Sequence, residues 1–360
     1  MRPADDDFFM QPLCVRLNAR PLSGRLRLFS FPQPSNSLQY RQIPSVEIPM
    51  NCESPRMLIV GAGVNGSVCA VELHRAGSDV TVLARPKRYQ ELMERGVEIE
   101  NPLNGARTVT RLPAINRLDP EDVYDYIFVV VRKNQVRELL PVLAQNRSPC
   151  VVFMVNTALG PEEWVAALGA DRVMFGFVFA GGRREGSLVR ALRVKGASTP
   201  FGELNGQTTP RLTRLIGILN RAGLKARTEP HMPDWLATHA ALVAPFGVVT
   251  LKHGCDTYAL ARCKGDLRML ADAMSETLAV LHATGRRIVP RFNAVFGLLP
   301  RFILVAFLRA FLSSKFGEIG GGWHCSQAPD EMLQLARELK ELVQRSGLPA
   351  PALRKILAEV

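Results

Sequence analysis

Met57-Leu58-Ile59-Val60-Gly61-Ala62-Gly63-Val64-Asn65-Gly66 is the stretch on which the reading of the fold turns. Four consecutive apolar residues that stop at a glycine read as a buried strand of a parallel sheet. Residues 64–76 then carry a helical pattern that ends at Gly77. Between strand and helix lies a Gly-x-Gly-x-x-Gly. Gly61 permits the tight turn, Gly63 leaves bare backbone for a pyrophosphate, and Gly66 lets the helix pack closely on the strand. The start of the helix adds free N–H groups and the positive end of its dipole. Such a hexapeptide is a weak signal alone, but the preceding strand and following helix give it the context of dinucleotide binding. Gly61, Gly63, Val64, Asn65 and Gly66 are therefore candidate cofactor-binding residues. The competing reading is a tight strand–helix turn without a ligand.

Working outward, residues 79–84 (DVTVLA), 126–131 (YIFVVV) and 150–155 (CVVFMV) read as further buried strands. Residues 173–178 and 188–194 add strands, and 211–221 a closing helix. Strands alternating with helices mean βαβ units and a mostly parallel sheet covered on both faces. Beyond about Pro230 the strand signals cease. Helices are expected over residues 234–251 (kinked at Pro245), 266–284, 291–313 and 330–346, the last capped by Gly347. The fold class is thus an α/β N-terminal domain of Rossmann type over residues 57–229, followed by an all-α domain over residues 230–360. Residues 292–312 are apolar enough to suggest a membrane span. Pro300, Arg301 and Arg309 interrupt them, so a core or subunit-interface helix is expected instead.

The 360 residues and 39.7 kDa agree with about two domains. Hydrophobic and charged fractions of 47% and 22% are those of a globular protein, which excludes wholesale disorder and a disulfide-stapled scaffold. The formal charge of +12 favours acidic ligands. Nucleic acid is the weaker reading, because there is no clustered basic tract and only 7% of residues are aromatic. The seven cysteines are scattered without a CxxC, and the six histidines form no HxxxH pair. A reducing compartment, cytoplasmic by default, and no metal site are the expectations. Residues 1–55 hold eight of the 25 prolines, a density that excludes long helices and central strands. An extended or disordered extension is expected there, with Met50 or Met57 as the true beginning. No apolar run follows Arg2 as a secretory signal requires, and Asp5, Asp6 and Asp7 argue against a mitochondrial presequence.

The second strand ends in Leu83-Ala84-Arg85-Pro86-Lys87-Arg88, with no acid before Glu91. An NAD site needs a carboxylate there for the ribose hydroxyls, whereas a basic cluster suits a 2′-phosphate. NADP(H) is therefore the expected cofactor, with the planar guanidinium of Arg85 its best phosphate ligand. The alternative is a solvated basic turn.

Together GAGVNG, the ARPKR turn, Val131-Arg132-Lys133-Asn134-Gln135, Asn156 and the helical C-terminal region resemble the ketopantoate reductase (2-dehydropantoate 2-reductase) family. The resemblance covers about residues 57–360. It implies a C-terminal domain of the 6-phosphogluconate dehydrogenase type and reduction of ketopantoate with NADPH, on the route to pantothenate. By the same resemblance Lys133 matches a lysine near the cofactor, and Asn156 an asparagine beside the nicotinamide ribose and substrate. Glu331 matches the family's acidic residue, counted back from Gly347 and Pro351, and Ser314 a serine that contacts substrate. The family's Trp-x-Lys, whose lysine is the expected proton donor, reads Trp235-Leu236-Ala237 here. The asparagines that follow it fall at Ala241 and Pro245.

Hydride transfer to a carbonyl carbon develops an alkoxide that must be stabilised and protonated, and Ala237 can do neither. His239 lies about 200° around the helix from Ala237, so it cannot substitute from the same face and reads as a core histidine. His324, after Gly320-Gly321-Gly322-Trp323, reads as a loop histidine suited to proton transfer. The candidate catalytic residues are thus Glu331, Asn156 and His324. The expected function is NADPH-dependent reduction of a small 2-keto acid to the 2-hydroxy acid, in a possible homodimer without nucleic-acid or membrane partners. The alternative is an NADPH-binding sensor or scaffold that has lost the family lysine.

Overall fold

The computed structural model describes residues 54–178, 180–193, 198–358 and 360, which belong to one compact unit running from Met50. The extension expected over residues 1–55 falls almost wholly outside the described residues.

Strand β1 (Arg56–Val60) is an interior strand of the main sheet, its last four residues buried. After it come α1 (Val64–Arg75), β2 (Asp79–Leu83), α2 (Pro86–Arg95) and the short strands β3 (Val97–Glu100), β4 (Arg107–Thr110) and β5 (Ala114–Ile115). Next are β6 (Tyr126–Val129), α3 (Val136–Gln145), β7 (Val151–Phe153), α4 (Glu162–Leu168) and β8 (Val173–Gly176). Strands β9 (Ala180–Glu185), β10 (Leu188–Arg193) and β11 (Thr199–Glu203), helix α5 (Pro210–Arg221) and strand β12 (Ala226–Thr228) complete the α/β part.

The main sheet has the order β12-β11-β8-β7-β6-β1-β2-β5. All its neighbours run parallel except β11 and β8. The chain steps from β1 to β2 on one side and returns to β6 on the other. The C-terminal end of β1 is therefore the switch point at which open α/β sheets bind ligands. A second sheet, β4-β3-β10-β9, lies against α1 through Val68, Val189 and Ala191. The sequence pattern missed this sheet and assigned residues 188–194 to the main one. Its strands are short and carry many charges, so no long apolar run announces them.

From Met232 onward the described residues are helical: α6 (Met232–Lys252), α7 (Thr257–Arg262), α8 (Lys264–Ala283), α9 (Arg301–Leu312), α10 (Lys315–Gly317), α11 (Trp323–Gln327), α12 (Pro329–Ser346) and α13 (Pro351–Leu357). Helix α6 is long and apolar enough to cross a membrane, yet 67% of its most apolar window is buried inside the protein. The single helix expected over residues 291–313 is instead two pieces, a 3-10 segment Arg291–Gly297 and α9, bent by 117°. Pro300 stands immediately before α9, where it cannot donate the backbone hydrogen bond that would continue one helix. Helix α9 buries Leu304, Leu308 and Leu312 but leaves Phe302 and Phe307 exposed.

His324 is not in a glycine-rich loop. Residues Glu318–Gly322 form a π-helical turn that runs directly into α11. These glycines serve close packing: a Cβ on Gly321 would lie 2.7 Å from the Phe246 ring, and one on Gly322 2.8 Å from the Cys255 carbonyl oxygen.

Candidate functional site

The three glycines after β1 have distinct surroundings. Gly61 has φ +109°, and a Cβ there would meet the Val130 carbonyl oxygen at 2.3 Å. A Cβ on Gly66 would lie 1.9 Å from the Gly61 carbonyl oxygen, so its absence is what seats α1 on the strand. Gly63, the N-cap of α1, has nothing within 4 Å of its Cβ position. No side chain caps this 12-residue helix. Its first-turn N–H groups thus face open space with the positive end of the helix dipole behind them. The Asn65 Oδ1 is buried without a hydrogen-bond partner among the described residues. Open glycine, uncapped helix and unpartnered amide fit a bound pyrophosphate.

At the end of β2, Arg85 is the N-cap of α2 and lies exposed with Lys87. Arg88 is different: it is buried and bound to Glu91 at 3.0 Å and to the Ser187 carbonyl at 3.0 Å. Burial holds its pKa below the usual arginine value, despite the hydrogen bond to Glu91. It therefore ties α2 to the β9–β10 turn, and only Arg85 and Lys87 of the basic cluster face solvent.

The catalytic candidates come from three distant segments and meet. Asn156 follows β7, Glu331 opens α12, and His324 lies on α11. The buried Glu331 Oε1 accepts from Asn156 Nδ2 at 3.5 Å and from the Lys133 backbone N–H at 3.3 Å. Its other oxygen, Oε2, lies 3.6 Å from His324 Nε2. The His324 side chain is 39% exposed, so it sits between the carboxylate and the open space. The α12 start is clamped in place by Arg132, bound to Asp330 at 2.9 Å and to the Gln327 carbonyl, and by Asn134, which donates to Asp330 at 2.8 Å.

The Lys133 ammonium points elsewhere. It lies 3.7 Å from Glu338 Oε1 and 4.6 Å from the Trp164 ring centroid. Glu338, 3% exposed, also accepts the backbone N–H groups of Ala158 and Leu159 at 2.8 and 3.2 Å. Ser314 also stands apart from the cavity. Its hydroxyl donates to the Phe311 carbonyl at 2.6 Å and accepts from the Gly317 N–H, capping α10.

A cavity of about 220 Å³ opens beside the cluster. Asn65, Asn156 and His324 border it, together with Phe177 and Val178. Helix α6 contributes His239, Val243 and Phe246, spaced i, i+4, i+7 on one face. Ala237, Ala241, Ala244 and Val248 occupy the opposite face, at 0, 0, 0 and 5% exposure. The position matched to the family lysine is thus packed into the helical core, and the cavity meets α6 on the face of His239. That histidine stacks on Trp235 at 5.2 Å and meets Phe177 at 4.6 Å between centroids. Burial, with a smaller effect of His324, lowers its pKa to about 4, so it is neutral at pH 7. The sequence reading of His239 as a core histidine is met in part: it is packed between aromatic rings and also borders the cavity.

His253, Cys263 and Asp266 bring three potential ligand atoms within 4.8 Å where α6 ends and α8 begins. His253 Nε2 is 2.7 Å from Asp266, and the Lys252 ammonium lies 3.3 Å from its other oxygen. Burial disfavours ionised Asp266, but hydrogen bonds from His253, Lys252 and Cys263 outweigh it and hold the carboxyl below its usual range. A lysine on the same carboxylate opposes a dication, and the cluster works as a tie between the two helices.

The family model described as "Ketopantoate reductase PanE/ApbA" matches residues 57–206, the stretch that runs from the first strand to just past β11. The "Uncharacterized oxidoreductase YkpB" of Bacillus subtilis (strain 168) is 25% identical over 201 residues, which are 54% of this chain and 65% of the relative's length. Among solved structures, D-mandelate dehydrogenase with NADH and anilino(oxo)acetate superposes with a TM-score of 0.69 at 16% identity, covering 84% of this chain and 96% of that one. The 2-dehydropantoate 2-reductase from Geobacter metallireducens GS-15 gives 0.68 at 18% identity, covering 84% and 98%. At such identities the likeness is one of fold: a mostly parallel α/β sheet followed by helices.

Proposed function

We propose that this protein is an NADP(H)-dependent oxidoreductase that reduces a small 2-oxo acid to the 2-hydroxy acid. The observation that carries the reading is that Asn156 and His324, both in contact with Glu331, border a cavity that Asn65 of the glycine loop also borders. Gly61, Gly63 and Gly66 would hold the pyrophosphate with the first turn of α1, and Arg85 would hold the 2′-phosphate. When bound, the nicotinamide supplies the hydride. The unpartnered Asn156 Oδ1 and the amide nitrogen beside Glu331 would orient the ribose and the carbonyl compound. His324, partly exposed and facing Glu331, would deliver the proton that the alkoxide needs, with the carboxylate steadying the imidazolium before transfer. Glu331 acts here as a positioning residue, itself placed by the Arg132–Asp330 clamp.

In this reading residues 57–229 bind the nucleotide and residues 230–360 supply most of the substrate cavity. A cytoplasmic location and a homodimer belong to the same proposal. The test is fluorescence titration with NADPH and NADH, followed by carbonyl-dependent oxidation of the tighter ligand. Preference for NADH would overturn the role of Arg85, and absence of binding to either would overturn the whole reading.

One observation favours a second reading. Among the described residues no lysine or arginine lines the cavity, and Ala237 is buried in the core. The second reading is a sensor or scaffold that binds NADPH, and it is the one to adopt if NADPH binds but no carbonyl compound causes its oxidation.

A further inference from the structure

The cavity has a chemically mixed lining. Asn65, Asn156, His239 and His324 bring polar side chains to it, whereas the side chains of Val243, Phe246, Phe311, Phe316 and Ile319 hold only carbon. Phe246 lies seven residues beyond His239 on the same face of α6, which is about 10 Å along the helix axis. There it begins a chain of aromatic rings, Phe246 to Phe311 at 6.2 Å and Phe311 to Phe316 at 6.1 Å between centroids. The ring of Phe246 is fixed by its contact with the π-helical turn at Gly321, so this wall is a built surface.

We infer that the substrate is a 2-oxo acid whose substituent is bulky and apolar, an aryl or branched-alkyl group, not the hydroxylated side chain of ketopantoate. The inference rests on the reductase reading above and names the substrate class of that same site. The carbonyl and carboxylate belong at the polar end, within reach of Asn156 and His324. The substituent then extends along α6 past Val243 toward the Phe246–Phe311–Phe316 rings. A hydroxyl placed there loses its hydrogen bonds to water and finds no donor or acceptor among these five side chains. An apolar group gains the contacts the wall offers, and a single methylene in such a pocket is worth about 10- to 200-fold in kcat/KM.

The experiment is NADPH oxidation by the full chain, with kcat/KM measured for 2-oxo-2-phenylacetate, 3-methyl-2-oxobutanoate and ketopantoate, alongside NADPH binding by fluorescence. The expected result is a kcat/KM at least about tenfold higher for one of the two apolar acids than for ketopantoate. In Val243→Thr, which places a hydroxyl in the wall at nearly constant shape, that ratio should narrow. Ketopantoate equal to or better than both apolar acids would overturn the inference and leave the reductase reading standing. NADPH bound but consumed with none of the three would overturn the reductase reading, and the inference with it.

Discussion

Asn156, on the border of the cavity, and Glu331, 175 positions away in the chain, face each other across 3.5 Å. The first follows the fourth-from-edge strand β7, and the second opens a helix of the C-terminal region. Their meeting also aims His324, because the other Glu331 oxygen is turned to its ring. Replacing His324 by Ala should lower kcat about a hundredfold or more while the NADPH dissociation constant stays within about twofold. Glu331→Gln keeps the shape and removes the charge. It should lower kcat while the NADPH dissociation constant stays within about twofold, since the imidazole loses the carboxylate that orients it. A purely structural Glu331 would lower the melting temperature and leave kcat of the folded enzyme where it is.

The glycine loop separates binding from folding. Gly63→Asp has room for its side chain, with nothing within 4 Å of the Cβ position, but puts a carboxylate where the pyrophosphate belongs. It should retain the wild-type Tm and lose measurable NADPH binding. Gly66→Ala should do the reverse at first sight: its Cβ would lie 1.9 Å from a backbone oxygen, so α1 must move and stability should fall. Thermal melting and fluorescence titration of the two variants together decide the matter. An unaltered NADPH affinity in Gly63→Asp would remove the cofactor from this loop.

Much of this loop was legible in the sequence, because strand, glycine spacing and helix are local and each glycine answers a local steric demand. The buried strands β1, β6 and β7 were legible for a similar reason: they are central, and centrality writes itself as unbroken apolar runs. The second sheet was not, since β3, β4, β9 and β10 carry charges that pair across strands, as Arg107 and Arg190 do with Glu100. The side of α6 that meets the cavity was also hidden. Both faces of that helix are apolar, so periodicity alone cannot say which one packs and which one lines a space. Counting along a family motif picked out Glu331, which the fold sets 3.5 Å from Asn156; the same resemblance put Lys133 near the cofactor, and its ammonium lies against a glutamate 205 positions away.

That capture gives a stability prediction. Glu338 and Lys133 are 3% and 12% exposed, and the carboxylate also holds the backbone N–H groups of Ala158 and Leu159. Glu338→Gln leaves the buried ammonium without its charge partner and should cost about 3–5 kcal/mol. Lys133→Met should cost less, because Glu338 keeps both backbone donors and the methionine still fills the space beside Trp164. Denaturant midpoints measure both. If Lys133→Met instead abolishes NADPH binding at unchanged stability, the lysine serves the cofactor and the ion pair with Glu338 breaks when it binds.

The neutral His239 makes stability depend on pH in a defined direction. Its pKa in the folded protein is about 4, lowered by burial and by His324, against about 6.5 for an exposed histidine. Between these two values the unfolded chain binds a proton that the folded protein refuses. Unfolding is therefore favoured as pH falls from about 6.5 to about 4, and the histidine's contribution to stability is fully present only above the upper value. The size of the loss is bounded by the shift, on the order of 3 kcal/mol at most. Urea midpoints at pH 7, 6 and 5 should fall accordingly in the wild type, and His239→Gln should flatten that part of the decline. An equal decline in the variant would mean that other groups carry the acid sensitivity, and that the cavity tolerates a charged imidazole at this position.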